Sequence, residues 1–195
     1  MCRRWGLRVS SKLAVAFWGF GVGEEVFVEA RECLGNEELH GRILERIRGA
    51  GVEFRSVRHE PARTSEESAE LRGEPLRIGG KSLLLMVEEK FMLFVLSAEL
   101  IVDNLRIRRK FGTRRTRFAT REELLSMTGL VPGCVPPFGE PLLPFPLFVD
   151  PSVLDCDRIG FNAALLTESV IMATEDWKRL AAPFEVLPFS KPRGG

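Results

Sequence analysis

Behind Asn36, apolar residues recur every four positions at Leu39, Ile43 and Ile47, which predicts a helix capped by Asn36 and stopped at Gly49 or Gly51. VEFRSVRH alternates imperfectly and reads as a strand. In ARTSEESAELRG, Thr64 and Glu67 stand in capping-box register, opening a short helix that closes near Gly73. SLLLMVEE and KFMLFVLSA are apolar runs of strand length on either side of a tight polar turn, so an antiparallel hairpin buried on both faces is expected. DNLRIRRKFG reads as a helix with a glycine stop, RTRFA as a short strand, and TREELLSMTG as a helix with Thr120 and Glu123 as a second capping box. PLFVD, RIGFN and SVIMA read as strands, Thr174 to Leu180 as a helix capped by Thr174, and EVLPF as a last edge strand. Hairpins and strands interspersed with helices predict an α/β (α+β) fold, a mixed sheet wrapped by helices.

One stretch breaks every periodicity. GLVPGCVPPFGEPLLPFP, residues Gly129 to Pro146, holds six of the twelve prolines and three of the eighteen glycines. Proline removes a backbone donor and glycine admits unusual φ, so this run is a loop of defined shape. Such a loop either presents backbone groups to a ligand or carries the chain around a sheet edge.

Composition narrows the class. The 195 residues carry 28 Lys plus Arg against 27 Asp plus Glu, so overall charge points to neither nucleic acid nor membrane. Cys2, Cys33, Cys134 and Cys156 form no C-x-x-C pair, which suggests a reduced, cytoplasmic chain with neither metal nor cofactor. The longest uncharged apolar run, Leu13 to Gly23, has eleven residues, too few for the ~20 of a membrane span. Arg3, Arg4, Arg8 and Lys12 precede it as in a signal peptide, but Glu24 and Glu25 follow and no A-x-A site appears. Residues 1–35 therefore read as an appended segment or the product of an upstream start, 36–190 as the domain, and 191–195 as a tail.

Several residues invite chemistry. GEPLRIGGKS ends like a P-loop, but Pro75 stands where that motif needs Gly, and a strand follows where a helix should. Lys81, at the mouth of an apolar strand, is either a solvated lysine or a point charge held for phosphate or an oxyanion. Cys134 is either a small turn residue or a nucleophile without a neighbouring histidine, and His59 either an exposed strand-end residue or one that reaches a site. No Ser-His-Asp set or H-E-x-x-H is present. Eight basic residues lie between Arg106 and Arg121 with no acid among them, a solvated face or a phosphate-binding one; Arg109, Arg114, Arg115 and Arg117 are its candidates for a phosphate backbone.

GKSLLL at Gly80 to Leu85, FGTRRTRFATREEL at Phe111 to Leu124, and G-x-x-P-G at Gly129 to Gly133 followed by VPPFG together resemble the YbaK/prolyl-tRNA-editing family over roughly Asn36 to Phe189. The resemblance implies a mixed sheet wrapped by helices that hydrolyses mischarged aminoacyl-tRNA, as a freestanding trans-editing protein, with tRNA and, in some settings, an aminoacyl-tRNA synthetase as partners and no membrane. It places the essential lysine on Lys81, the signature loop on Gly129, Pro132 and Gly133, and backbone donors at Gly133 and Cys134. Ser82 and Phe138 fall within the same motifs on the substrate side. Water would be the nucleophile, and small residues such as Ser, Thr, Ala or Cys, on tRNA-Pro among others, the substrates. Alanine-selective members resemble a pattern with His where this strand ends Phe161-Asn162; an Asn162 amide suits a hydroxyl, so serine is expected first and threonine next. The alternative within the same fold is a silent tRNA- or synthetase-binding module.

Overall fold

The computed structural model describes residues 34–194. All but the last two residues of the predicted 1–35 segment, Cys2 and Cys33 included, lie outside the described residues. α1 (Glu37–Gly49) begins where Asn36 Oδ1 accepts the Leu39 amide at 2.9 Å, and it buries Leu39, Ile43 and Ile47. Each such side chain contributes about 1.5–3 kcal/mol on burial. β1 (Phe54–Arg58) precedes α2 (Ser65–Arg72), where the Thr64–Glu67 capping box is complete and Gly73 closes the helix in the left-handed conformation. A turn of 3-10 helix, Leu76–Ile78, leads into β2 (Gly80–Val87), which forms the predicted hairpin with β3 (Lys90–Ser97). Its alternation serves two cores: Leu84, Leu93 and Val95 enter one, and Leu85, Phe94 and Leu96 the other.

β4 (Leu100–Val102), α3 (Asn104–Phe111), β5 (Thr116–Phe118) and α4 (Arg121–Thr128) follow, the last with the Thr120–Glu123 capping box. After the loop come β6 (Leu147–Val149), α5 (Pro151–Leu154), β7 (Arg158–Leu165), β8 (Glu168–Ala173), α6 (Thr174–Ala181), β9 (Glu185–Val186) and β10 (Ser190–Pro192). The architecture is mixed α/β, divided between two principal sheets. One is five-stranded, β5-β2-β3-β6-β9, with β3, β6 and β9 mutually parallel along it; the other is the antiparallel β1-β8-β7. A ribbon of β4 and β10 stands apart from both.

One expectation is corrected. Thr174 does not cap α6: Ala173 holds the cap position, and the buried Thr174 hydroxyl has no hydrogen-bond partner among the described residues. Lys191 and Pro192, in the segment expected as a tail, belong to β10 and pair with β4, and just before them the buried Asp150 carboxylate accepts the Phe189 and Ser190 amides at 2.8 and 2.9 Å. At the other end, Asn36 donates from Nδ2 to Thr128 O at 2.9 Å, joining the start of α1 to the residue before the loop.

Candidate functional site

The loop between α4 and β6 is packed into the core. Leu130, Val131, Cys134, Phe138, Leu142, Leu143 and Phe145 are buried, and Trp177 Nε1 donates to Pro137 O at 3.0 Å. Pro132 and Gly133 are exposed near its start, as are Glu140, Pro141, Pro144 and Pro146 further along. Cys134 N–H donates to Val131 O at 3.2 Å, closing a turn with Pro132 and Gly133 at its centre and Gly133 at φ 100°, the residue order that a type II turn demands.

Behind the turn runs a series of hydrogen bonds. Asn162 Nδ2 donates to Gly133 O at 2.9 Å, Ser169 Oγ donates to Asn162 Oδ1 at 2.8 Å, and His59 Nε2 lies 2.8 Å from Ser169 Oγ. Asn162 and Ser169 are buried. A backbone carbonyl only accepts, so it fixes the Asn162 amide orientation, and that in turn fixes the direction of the serine hydroxyl. A β-bulge with Ala164 at φ 65° follows Asn162 and turns the strand away.

A cleft of about 170 Å³ opens between this turn and the start of β2, lined among others by Thr64, Ser68, Arg72, Lys81, Ser82 and Gly133. Lys81 and Ser82 leave β2 on opposite faces. Lys81 Nζ donates to Leu100 O, and its ammonium is held below the usual lysine range by burial and by nearby Arg193, with Glu66 opposing. Ser82 Oγ is buried and lacks a hydrogen-bond partner among the described residues.

The cleft thus gathers Lys81, Ser82, Gly133 and Asn162 from the sequence-predicted set. The others serve it from behind or not at all. Gly129 is the left-handed stop of α4, where a Cβ would meet Asn36 Nδ2 at 2.9 Å. Pro132 shapes the turn. His59 supports Ser169 rather than facing the cleft. Phe138 is a core residue stacked edge-on against Phe161 with centroids 5.5 Å apart. The Cys134 amide, expected as an oxyanion donor, donates to Val131 O, and its buried Sγ donates to the same carbonyl.

Arg72 was missed. It is only 7% exposed, and its charge is desolvated enough to pull its pKa down to about 10. As the last residue of a short helix it reads in sequence as an ordinary terminal cation. The signal that could have found it was glycine: Gly79 and Gly160 bridge two strands, and a Cβ on Gly160 would stand 2.9 Å from Arg72 Nη1.

On the far side of β2, the basic cluster is only partly free to bind. Arg106 pairs with Asp103 and Lys110 with Glu185. Arg117, expected to bind tRNA, instead grips Glu123 through two 2.7 Å bonds. Arg109, Arg114 and Arg115 are exposed.

The sequence profile of the aminoacyl-tRNA editing domain matches residues 59–180, from His59 through the cleft to α6. The chain belongs to the aminoacyl-tRNA editing domain family. Editing of this kind is hydrolysis of the ester that joins amino acid to tRNA, so the chain is a hydrolase of that bond. Within the curated relatives, the multifunctional Ser/Thr-tRNA deacylase ProXp-y of Escherichia coli K12 is 34% identical over 150 residues, covering 74% of this chain and 89% of the relative. The same protein from Escherichia coli O157:H7 matches equally. Among solved structures, one described as a trans-editing enzyme for prolyl-tRNA synthetase superposes with TM-score 0.67 at 23% identity, over 78% of this chain and 97% of its own. A scaffold built for computational epitope grafting superposes with TM-score 0.68 at 20% identity, over 80% and 99%. A likeness at that identity carries the editing-domain fold alone.

Proposed function

We propose that this editing-family protein hydrolyses tRNA mischarged with serine or threonine, using water as the nucleophile. The observation that carries the reading is the meeting of Lys81 and the Pro132-Gly133 turn at one small cleft, in a chain 34% identical to a Ser/Thr-tRNA deacylase. An aminoacyl ester is already activated. What it requires is orientation, a water and a donor for the charge that develops on the carbonyl oxygen. Lys81 anchors the terminal nucleotide as a point charge. The Gly133 amide is the turn donor left for the oxyanion, since the Cys134 amide closes the turn. No side chain in the cleft need attack the ester, which fits a site without a cysteine or histidine facing it.

Arg109, Arg114 and Arg115 carry the tRNA backbone, and the compartment of the reaction is that of translation, the cytoplasm. The test is to incubate the pure protein with tRNAs charged with serine, threonine, alanine, cysteine and proline and follow release of the amino acid. Seryl and threonyl esters should be cleared and the prolyl ester left intact. Release of none of them would end the reading.

A further inference from the structure

Two polar groups at the seam of β2 and β7 are left with unused hydrogen-bonding capacity among the described residues. Arg72 donates from Nε to Ser68 O at 2.7 Å, but its Nη atoms find no acceptor among the described residues. Glu74 raises its pKa only through space, against a larger desolvation. Neither Nη is sealed from solvent, so the guanidinium presents these donors to the cleft it lines. The second group is Ser82 Oγ, whose atom is buried and without a partner among the described residues. Buried hydroxyls in native proteins are nearly always paired, so an orphan that lines a cleft calls for an explanation.

The two converge. Gly80, Ser82 and Leu84 share the face of β2 turned to β7, where a Cβ on Gly80 would strike Ile159 at 2.7 Å. Arg72 lies over the Gly79–Gly160 bridge on the same seam, with Nη1 2.9 Å and Nη2 4.0 Å from where those glycines would carry a Cβ. Both residues line the cleft, with Gly133 and Asn162 opposite.

We infer that Arg72 and Ser82 form the subsite for the hydroxyl of the substrate's amino-acid side chain. The inference rests on the proposed deacylation and names what selects its substrate. A guanidinium is a donor only, whereas a serine hydroxyl both donates and accepts. A substrate hydroxyl satisfies both, its oxygen accepting from Arg72 Nη and its hydrogen passing to Ser82 Oγ. A methyl satisfies neither. Asn162 is not the reader, because Gly133 O and Ser169 Oγ already fix its amide.

The test has two readouts. The first is the ratio of kcat/KM for seryl- over alanyl-tRNA in the wild type, Ser82→Ala, Arg72→Met and Gly160→Ala. The last leaves Arg72 in place but pushes its flexible end aside. Losing one neutral hydrogen bond should lower the ratio about 5- to 10-fold in Ser82→Ala, and losing a charged one about 10- to 100-fold in Arg72→Met, with Gly160→Ala in the same direction. The second readout is calorimetric binding of 3′-seryl-amino-3′-deoxyadenosine and its alanyl counterpart, whose amide bonds cannot be hydrolysed as esters are. The wild type should prefer the seryl analogue, and the variants should lose that preference. Thermal unfolding separates structure from selection: Arg72→Met should melt no lower than wild type, since a desolvated charge is removed.

A clear drop in melting temperature for Arg72→Met would make Arg72 a structural residue and overturn the inference. So would unchanged ratios in folded variants, or displacement of both analogues by inorganic phosphate, which would mark an anion site. If the wild type hydrolyses no mischarged tRNA and binds neither analogue, the proposed function itself falls. If it hydrolyses seryl-tRNA while the ratios stay fixed, only the hydroxyl subsite falls.

Discussion

On the loop wall of the cleft, Gly133 O, Asn162, Ser169 and His59 are joined in one series of hydrogen bonds, and the neighbouring apolar residues from Leu130 to Phe145 are buried. On the facing wall, built from α2 and β2, the Nη atoms of Arg72 and the hydroxyl of Ser82 lack acceptors among the described residues, and burial depresses the ammonium of Lys81. The same chain satisfies one wall and leaves the other wanting. A satisfied network fixes geometry, whereas an unsatisfied group stores a preference for whatever completes it. In the proposed reaction, the loop wall is the frame that aims the turn, and the α2–β2 wall is the one assigned to substrate recognition.

The largest effect that would break this division lies at Lys81. Lys81→Ala should lower deacylation by ~10²–10³ while leaving the melting temperature unchanged or higher, because the half-buried ammonium is lost together with its desolvation cost. Loss of activity accompanied by unfolding would move Lys81 to the frame, and wild-type turnover would remove it from the mechanism.

Asn162→Ala probes the frame itself. It removes the donor to the Gly133 carbonyl and leaves His59 as the remaining partner of the Ser169 hydroxyl, so stability should fall by about 1–3 kcal/mol in chemical denaturation. Seryl- and alanyl-tRNA deacylation should drop by the same factor, since the turn is misplaced for every substrate. A change in the seryl-to-alanyl ratio would return selection to Asn162.

The two walls were unequally legible in the sequence, for a physical reason. Local chemistry could be read: both capping boxes, the Asn36 cap and the β2–β3 hairpin depend on residues within a few positions of one another, and the proline and glycine content marks the loop. The roles expected of Lys81 and the loop were reached through motif resemblance. What escaped depends on distant partners. β4 and β10 exist only because Leu100–Val102 meets Ser190–Pro192, and neither three-residue segment has a period of its own. Thr174 fits the cap rule in isolation, yet β8 runs on to Ala173 and makes Thr174 the first helical residue. Arg72 is hidden because its burial comes from Gly79 and Gly160, far apart in the chain and adjacent only in the fold. Arg117 reads as a free cation because Glu123 lies beyond the stretch without acids, six residues on.

That last pairing sharpens the contrast between free and engaged arginines outside the cleft. Replacing Arg114 and Arg115 together by Ala should weaken tRNA binding and reduce the slope of log K against log salt by about 0.9 for each phosphate no longer neutralised. Arg117→Ala should leave the slope as it is. Equal slopes in all variants would make Arg114 and Arg115 a solvated face.

The smallest effect concerns the Arg117–Glu123 pair itself. The two hydrogen bonds from Arg117, with help from the Thr120 amide, hold the Glu123 carboxyl at about 2 against an ordinary value of 4.5. A depressed acid stabilises the fold when ionised, so the contribution is fully present above the unfolded value, declines as the pH falls below 4.5, and is gone once it passes about 2. The pair is solvent-exposed, and exposed ion pairs contribute little. Glu123 also closes the α4 capping box, so Glu123→Gln keeps a side-chain acceptor for the Thr120 amide while deleting the titration. Melting temperatures measured from neutral pH down to the acid limit should converge for wild type and Glu123→Gln at the acid end, with the wild type slightly ahead once Glu123 is ionised in both folded and unfolded chains. Parallel curves with a constant gap would show that the carboxylate acts as a cap alone, and that Arg117 is as free for tRNA as Arg114 and Arg115.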